Sequence, residues 1–389
     1  MQLTRQEEKI LNGEQGWANQ TCMKILVRLG ELFGAEKLIP ITSAHVSGIS
    51  YKTLGDAPIE YLKTLADANA KVKVKTTLNP QSLDPEYLIR KLPIELRNKQ
   101  LKILKQFDKM GLTESLTCTP YYLGRLRRGS HMAWAESSAV VYANSVLGAW
   151  TNREGGPSAL AAAIIGKTPD YGIHKAENRQ PNCLVNVKTE LHNETEYGAL
   201  GIHLGKLLRD KIPIIQGLQE DKDRLKQLSA AIATTGMTNM FKAGSTTERK
   251  KTETVEIESN DLKRTIEELN TASNKKPDLV FIGCPHCSYA EMKKTAQLVK
   301  GKKVKPGIEL WVCTSCHVKQ AATDAVKQIE KSGGHVLAGV CTVVSWTEKL
   351  GIRTIMTNSA KTAYYAPTLS KADATLAPME ECLKTALQG

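Results

Sequence analysis

The sequence predicts an α/β protein of more than one domain, built on parallel sheets, and three observations carry that prediction. The chain has 389 residues, more than one hydrophobic core usually serves. Its 41% apolar and 24% charged residues are those of an ordinary globular protein. Its last third repeats one theme, an apolar strand, a polar or cysteine-bearing turn and then an amphipathic helix, which is the signature of parallel strands joined by helical crossovers.

Taken in order, residues 4–34 read as helix, with apolar positions at Ile10, Leu11, Met23, Leu26, Val27, Leu29 and Leu32 and a break near Gly13. A short strand at 38–41 runs into a polar turn at 42–48 that carries Ser43, His45 and Ser47. A second strand at 71–77 ends in Thr77, Leu78, Asn79 and Pro80. From 244 to 276 the composition turns polar, and a connecting segment is expected there. It separates an N-terminal α/β region, 1–243, of one or two domains, from a C-terminal α/β domain, 277–389. In the latter, strands near 279–282, 310–312, 336–340 and 354–356 lead to Cys284, Cys313, Cys341 and the Ser359–Lys361 turn. Ligands of parallel sheets lie beyond the carboxyl ends of the strands, so Cys284, Cys341 and that turn are expected in one crevice.

Composition narrows the function. The longest apolar stretch, 158–165, falls far short of the roughly 20 residues of a membrane-crossing helix. No basic-then-apolar leader opens the sequence, so a cytoplasmic protein with no membrane partner is expected. Nine cysteines in a reducing compartment point to metal or catalysis rather than disulfides. The net charge of +13 permits nucleic-acid binding. However, the charge is dispersed, its densest run is Arg125, Arg127 and Arg128, and aromatics are only 5% of the chain, too few for a base-stacking platform. No nucleic-acid partner is expected; the field suits a small anionic substrate.

Two Cys-x-x-Cys pairs, Cys284/Cys287 and Cys313/Cys316, allow a zinc-stabilised, nucleic-acid-binding protein as a reading from another class. An iron–sulfur hydro-lyase needs instead three thiolates that leave one iron open, and Cys118, Cys284 and Cys341 each stand in a polar turn beside Thr, Pro or Gly. The stretch Asn152-Arg153-Glu154-Gly155-Gly156-Pro157-Ser158 opens a helix whose free amides, with Arg153, suit a carboxylate or phosphate; a capped structural turn is the alternative. Ser43, His45, Ser47, Thr77 and Asn79 either contact substrate or cap helices. Glu136, followed by Ser137 in an apolar helix, needs a cationic or hydroxyl partner. Lys361 binds an anion or simply begins a helix.

The segments Leu116-Thr117-Cys118-Thr119-Pro120-Tyr121, Ala133-Trp134-Ala135-Glu136-Ser137-Ser138, Thr151-Asn152-Arg153-Glu154-Gly155-Gly156-Pro157-Ser158, Tyr197-Gly198-Ala199-Leu200-Gly201, Gly283-Cys284-Pro285-His286 and Met356-Thr357-Asn358-Ser359-Ala360-Lys361 follow in that order. Together they resemble the large subunit of the aconitase X family over nearly the whole chain. The resemblance implies an aconitase-superfamily architecture without the swivelling domain and an iron–sulfur cluster on Cys118, Cys284 and Cys341. A 4Fe-4S cluster is expected, with 3Fe-4S or 2Fe-2S as alternatives. It also implies a hydro-lyase that dehydrates mevalonate 5-phosphate, or else cis-3-hydroxy-L-proline, with a small subunit supplying the swivelling domain and the proton-abstracting base. Ser359 and Lys361 are the fallback bases within this chain.

Overall fold

The computed structural model describes residues 1–113, 115–244, 253–272 and 275–388. The N-terminal helical reading resolves into two helices, Arg5–Leu11 and Trp17–Leu32. The first is closed by a reciprocal cap: Thr4 accepts from the Glu7 amide while the Glu7 carboxylate accepts from the Thr4 amide. Trp17–Leu32 buries Cys22, Met23 and Leu26 against the helix Gly156–Ile165. The latter is apolar all round, as a helix enclosed within a core must be.

The expected polar turn at 42–48 is instead a strand. Ser43–Val46 is the centre of a three-stranded parallel sheet, with Lys75–Leu78 on one side and Ala133–Trp134 on the other. The alternation is that of a strand, Ala44 and Val46 entering the core while Ser43 and His45 share the other face. His45 stands opposite Thr77 in register.

A four-stranded parallel sheet follows, in the order Lys242–Ala243, Pro213–Gln216, Cys183–Val187, Glu253–Ile257. Helices Glu194–Leu208 and Lys222–Thr235 pack against each other closely enough that glycine is required at 201. A Cβ there would lie 2.8 Å from the Leu228 carbonyl oxygen. This sheet corrects the reading of 244–276 as a connector. Glu253–Ile257 pairs with Cys183–Val187 along its whole length, and the helix Ser259–Leu269 buries Leu262, Thr265 and Leu269. Residues 245–252 and 273–274 of that stretch lie outside the described residues.

The C-terminal sheet has five parallel strands, ordered His335–Ala338, Glu309–Thr314, Leu279–Cys287, Thr354–Thr357, Asp373–Leu376. Its central strand is buried at every position, as a strand covered on both faces must be. The repeating theme holds after three of these strands: Tyr289–Val299 follows Leu279–Cys287, Cys316–Ala321 and Thr323–Lys331 follow Glu309–Thr314, and Ala360–Tyr365 follows Thr354–Thr357, whereas His335–Ala338 leads into 3-10 turns. Among the described residues no helix is long and apolar enough to cross a membrane.

Candidate functional site

Three cysteines from distant parts of the chain come together: Cys284 and Cys341 share a hydrogen bond, and Cys118 interacts electrostatically with both. Cys284 lies in the irregular stretch of the central strand, just after Gly283, which has a φ of +113°. A Cβ at Gly283 would lie 2.2 Å from the Cys313 carbonyl oxygen, so only glycine lets the two strands pass here. Cys341 stands three residues beyond the strand His335–Ala338 and caps a short 3-10 turn, Thr342–Val344. Cys118 belongs to the segment whose Thr117 amide donates to the Leu78 carbonyl, so it continues from the first sheet.

His286 bolts the three segments together. Its backbone amide donates to Cys118 Sγ at 3.2 Å, its Nδ1 lies 3.2 Å from Thr117 Oγ1 and its Nε2 2.8 Å from the Val340 carbonyl. A carbonyl can only accept, so Nε2 carries the proton and Nδ1 accepts from the threonine hydroxyl. Burial pushes the ring down to about 4, which keeps it neutral near pH 7 and preserves this tautomer. The loop is held from behind by Lys226 of the helix Lys222–Thr235, wholly buried, which donates to the His286 carbonyl and pairs with Glu291.

The thiols differ in character. Cys284 is lowered to about 6 by a hydrogen bond from Cys341, the charge of Lys361 and the hydroxyls of Thr362 and Ser359, against the opposing effect of burial. The same bond with Cys284, together with burial, pushes Cys341 up. Burial and the Glu136 charge push Cys118 up. Three converging thiols flanked by N–H and O–H donors fit an iron–sulfur cluster, whose sulfurs accept such bonds. Cys316 of the second Cys-x-x-Cys pair is exposed, and among the described residues no group of three or more His, Cys, Asp or Glu has the spacing of a metal-ion site. Nothing in that arrangement favours a four-thiolate zinc site.

From Lys361, whose charge reaches Cys284, a chain of hydrogen bonds runs back to the first sheet. Lys361 Nζ donates to Glu136 Oε1 at 2.7 Å, and Asn79 Nδ2 donates to Glu136 Oε2 at 2.9 Å. Asn79 Oδ1 lies 3.4 Å from His45 Nε2, and His45 Nδ1 lies 2.7 Å from Thr77 Oγ1. Glu136 therefore has the cationic partner its burial demands. Burial would raise its carboxyl, but Lys361, with Ser138 and Asn79, brings it down to about 2. Lys361 rises in turn, because Glu136 and the Cys284 and Cys118 sulfurs outweigh the effect of burial. Burial takes His45 down to about 4 despite Glu136 and Asn79, so it too is neutral near pH 7.

The other expected residues divide. Ser359 is buried beside Cys284, and its Oγ accepts from the Thr362 amide as the cap of Ala360–Tyr365. Ser137 opens its helix directly after Glu136. Ser43 and Thr77 line a cavity of about 250 Å³ beyond His45. Ser47 abuts the start of the helix Gly156–Ile165. Asn152 has its amide fully engaged, Oδ1 with the Ile173 amide and Nδ2 with the Tyr171 carbonyl. Glu154, raised by burial, accepts from Ser158 and Thr168. Arg153 donates to the Gly236 carbonyl. The 152–154 stretch thus ties neighbouring segments together, and its side chains are not joined by hydrogen bonds to the cysteine–lysine network. Sequence reasoning missed His286 and Lys226; the Cys-Pro-His order was the only visible signal for the first.

Models of the aconitase X first, second and third domains match residues 1–177, 181–267 and 277–388, one for each sheet described above. The chain is similar to a protein of Methanocaldococcus jannaschii named phosphomevalonate dehydratase large subunit, with 46% identity over 99% of this chain and 100% of that one. A protein of the same name from Methanosarcina mazei is 42% identical over 100% and 98%. A cis-3-hydroxy-L-proline dehydratase of Pseudomonas aeruginosa is 34% identical, over 98% of this chain but 69% of its own length. Among solved structures, the holo-form of Thermococcus kodakaraensis aconitase X superposes with a TM-score of 0.91 at 42% identity, covering 99% and 100% of the two chains.

Proposed function

The chain belongs to the aconitase X family, and on that premise we propose that it is the large subunit of a two-subunit cytoplasmic hydro-lyase. It dehydrates mevalonate 5-phosphate to trans-anhydromevalonate 5-phosphate. The observation that carries the reading is the convergence of Cys118, Cys284 and Cys341 on the buried Lys361–Glu136 pair. It occurs in a chain that runs the full length of relatives named for this reaction. The hydroxyproline relatives are more distant and extend well beyond this chain.

Dehydration removes a proton from C2 and the hydroxyl from C3, leaving a 2-enoate and water. Cys118, Cys284 and Cys341 are the residues that would hold an iron–sulfur cluster, with four irons expected and three or two as alternatives. When bound, such a cluster supplies Lewis-acid polarisation of a hydroxyl and a carboxylate. Lys361, charged and buried, offers a cation to the substrate carboxylate while Glu136 holds the ammonium in place. Neutral His45 donates through Nε2 to Asn79 and so fixes the amide that orients Glu136. No carboxylate or neutral imidazole in this network is free of such a positioning bond. That supports a C2 base delivered by a small subunit, which the relatives' name of large subunit implies.

The test is anaerobic reconstitution of this chain with a candidate small subunit, assayed on mevalonate 5-phosphate and on cis-3-hydroxy-L-proline. Visible cluster absorption in this chain, and turnover of the phosphate substrate only in the presence of both subunits, are expected. Turnover of hydroxyproline alone would overturn the substrate assignment, and full turnover by this chain alone would move the base to Ser359 or Lys361.

A further inference from the structure

Buried polar atoms without partners are rare in folded proteins, and where they occur they need a reason. Among the described residues, eight side-chain nitrogen or oxygen atoms are sealed from solvent and have no hydrogen-bond partner within the chain. Three of the eight are hydroxyls, on Tyr121, Thr342 and Thr362, and each accompanies a different one of the three converging cysteines. Tyr121 follows Cys118 by three residues, and the Cys118 sulfur is among the groups whose charge bears on it. Thr342 directly follows Cys341 and opens the 3-10 turn that Cys341 caps. Thr362 lies in the first turn of Ala360–Tyr365, where its hydroxyl helps to lower Cys284 without a hydrogen bond of full geometry. The remaining five are four amide oxygens and His174 Nε2. One of them, Asn358 Oδ1, is close in sequence to Ser359, but an amide oxygen can only accept.

A hydroxyl taken out of water with nothing to bond destabilises the folded chain. Three of them at one site point to acceptors that the side chains and backbone there do not provide. Tyr121 is pushed well above the ordinary tyrosine range, first by burial and then by Tyr122, Cys118, Tyr142 and Glu291, so its oxygen keeps the proton and can donate it. Sulfur is the acceptor common to the three positions. It already receives the His286 amide at Cys118, and the Ser359 hydroxyl acts on Cys284. Thiolates and sulfides of iron–sulfur clusters accept several such bonds, which hold the cluster and favour its more negative, reduced state.

We propose that Tyr121, Thr342 and Thr362 are positioning residues for the iron–sulfur cluster, each donating its hydroxyl proton to a sulfur beside the cysteine it accompanies. The inference rests on the reading of Cys118, Cys284 and Cys341 as cluster ligands and adds to it a set of neutral donors. A hydroxyl stabilises sulfur without placing a further charge beside the buried Lys361–Glu136 pair.

The experiment removes each hydroxyl alone, in Tyr121→Phe, Thr342→Val and Thr362→Val, and compares the full chain with and without its reconstituted cluster. Ser332→Ala is the control, because Ser332 is a buried hydroxyl that does have a partner, the Ile329 carbonyl at 2.6 Å. Without the cluster, the three variants should melt at or above the wild-type temperature, since the folded state no longer buries an unpaired polar group, whereas the control should melt lower. With the cluster, iron release to a chelator should be about 10-fold faster in each of the three, the scale of a lost outer-shell partner, and the reduction potential should fall. The control should match the wild type in both. A merely structural role would not give these opposite signs. Lower melting of the cluster-free variants, with iron release and potential unchanged, would assign the hydroxyls to packing and overturn the proposal. So would a raised KM in the two-subunit enzyme with both cluster readings unchanged, which would assign them to the substrate. A wild-type chain that takes up no cluster would refute the ligand reading and this inference with it, a failure visible before any hydroxyl is removed.

Discussion

Replacing Lys361 with methionine should destabilise the chain by about 3 kcal/mol at neutral pH, and two lines of reasoning give that figure. Glu136 is buried, and its carboxyl is held at about 2 instead of the ordinary 4.5. At about 1.4 kcal/mol for each pH unit, that depression corresponds to about 3 kcal/mol of stability. Breaking a buried ion pair by removing one partner independently costs about 3 to 5 kcal/mol, because the remaining charge is left uncompensated. Glu136 keeps donors in Asn79 and Ser138, which places the expectation at the lower end. Removing both charges should restore much of the loss, so Glu136→Gln with Lys361→Met is expected to be more stable than Lys361→Met alone. The pH dependence has a fixed sign. A carboxyl depressed by folding stabilises above its unfolded value, and this contribution disappears as pH falls from about 4.5 towards about 2. The wild type should lose it in that window, and Lys361→Met should show a shallower slope there. Urea unfolding of the four members of the cycle, followed by tryptophan fluorescence, measures all of this. A Lys361→Met midpoint equal to that of the wild type, or a coupling energy under about 0.5 kcal/mol, would refute the reasoning.

Three further outcomes follow from the same structure. Serine at Cys118, Cys284 or Cys341 should abolish the visible absorption of reconstituted protein, whereas serine at Cys22, buried in the first core, should leave it; absorption retained in Cys284→Ser but lost in Cys287→Ser would move that ligand by three residues. Burial and the neighbouring His131 push His174 down to about 3, so its contribution to stability is full above about 6.5 and is lost as pH falls. His174→Gln should thus remove about 2 kcal/mol of the destabilisation seen between pH 7 and 5, and identical pH slopes in the two proteins would contradict this. Alanine at Gly201, whose Cβ would sit 2.6 Å from that of Ala231 and 2.9 Å from the Ile232 amide, should cost about 1 to 3 kcal/mol, and an unchanged melting temperature would show that the two helices separate freely.

Local patterns made much of the fold legible, and long-range pairing hid most of the rest. The strand–turn–helix theme after 277 could be read because each unit carries its own signal within some thirty residues, as Leu279–Cys287 and Tyr289–Val299 do. The strand Ser43–Val46 was mistaken for a turn because hydroxyl and imidazole side chains are dense there; what makes it a strand is pairing on both sides, with Lys75–Leu78 and Ala133–Trp134. Glu253–Ile257 was missed for a related reason. It is an edge strand, and edges carry charge that discourages pairing with other chains. In the site, burial of a carboxylate at 136 foretold a cationic or hydroxyl partner, but nothing local could say that the cation lies 225 positions away at Lys361. The same holds for His286, whose ring partners Thr117 and Val340 lie 169 and 54 positions distant.

Those separations have a structural consequence for how the site is made. Cys118, Glu136 and His45 come from the first domain, Lys226 from the second, and Cys284, Cys341, His286 and Lys361 from the third. No single domain can therefore hold the arrangement. The third domain alone would keep two thiols but lose the Cys118 sulfur that His286 faces and the Glu136 carboxylate that fixes Lys361. The His286 loop would also lose the Lys226 bond that restrains it from the second domain. The buried pairs Lys361–Glu136 and Lys226–Glu291 both cross domain boundaries, and each leaves an uncompensated charge if the domains part. Domain packing and site assembly are thus one event: the charges that make separation costly are those that hold the His286 loop and Lys361 in place.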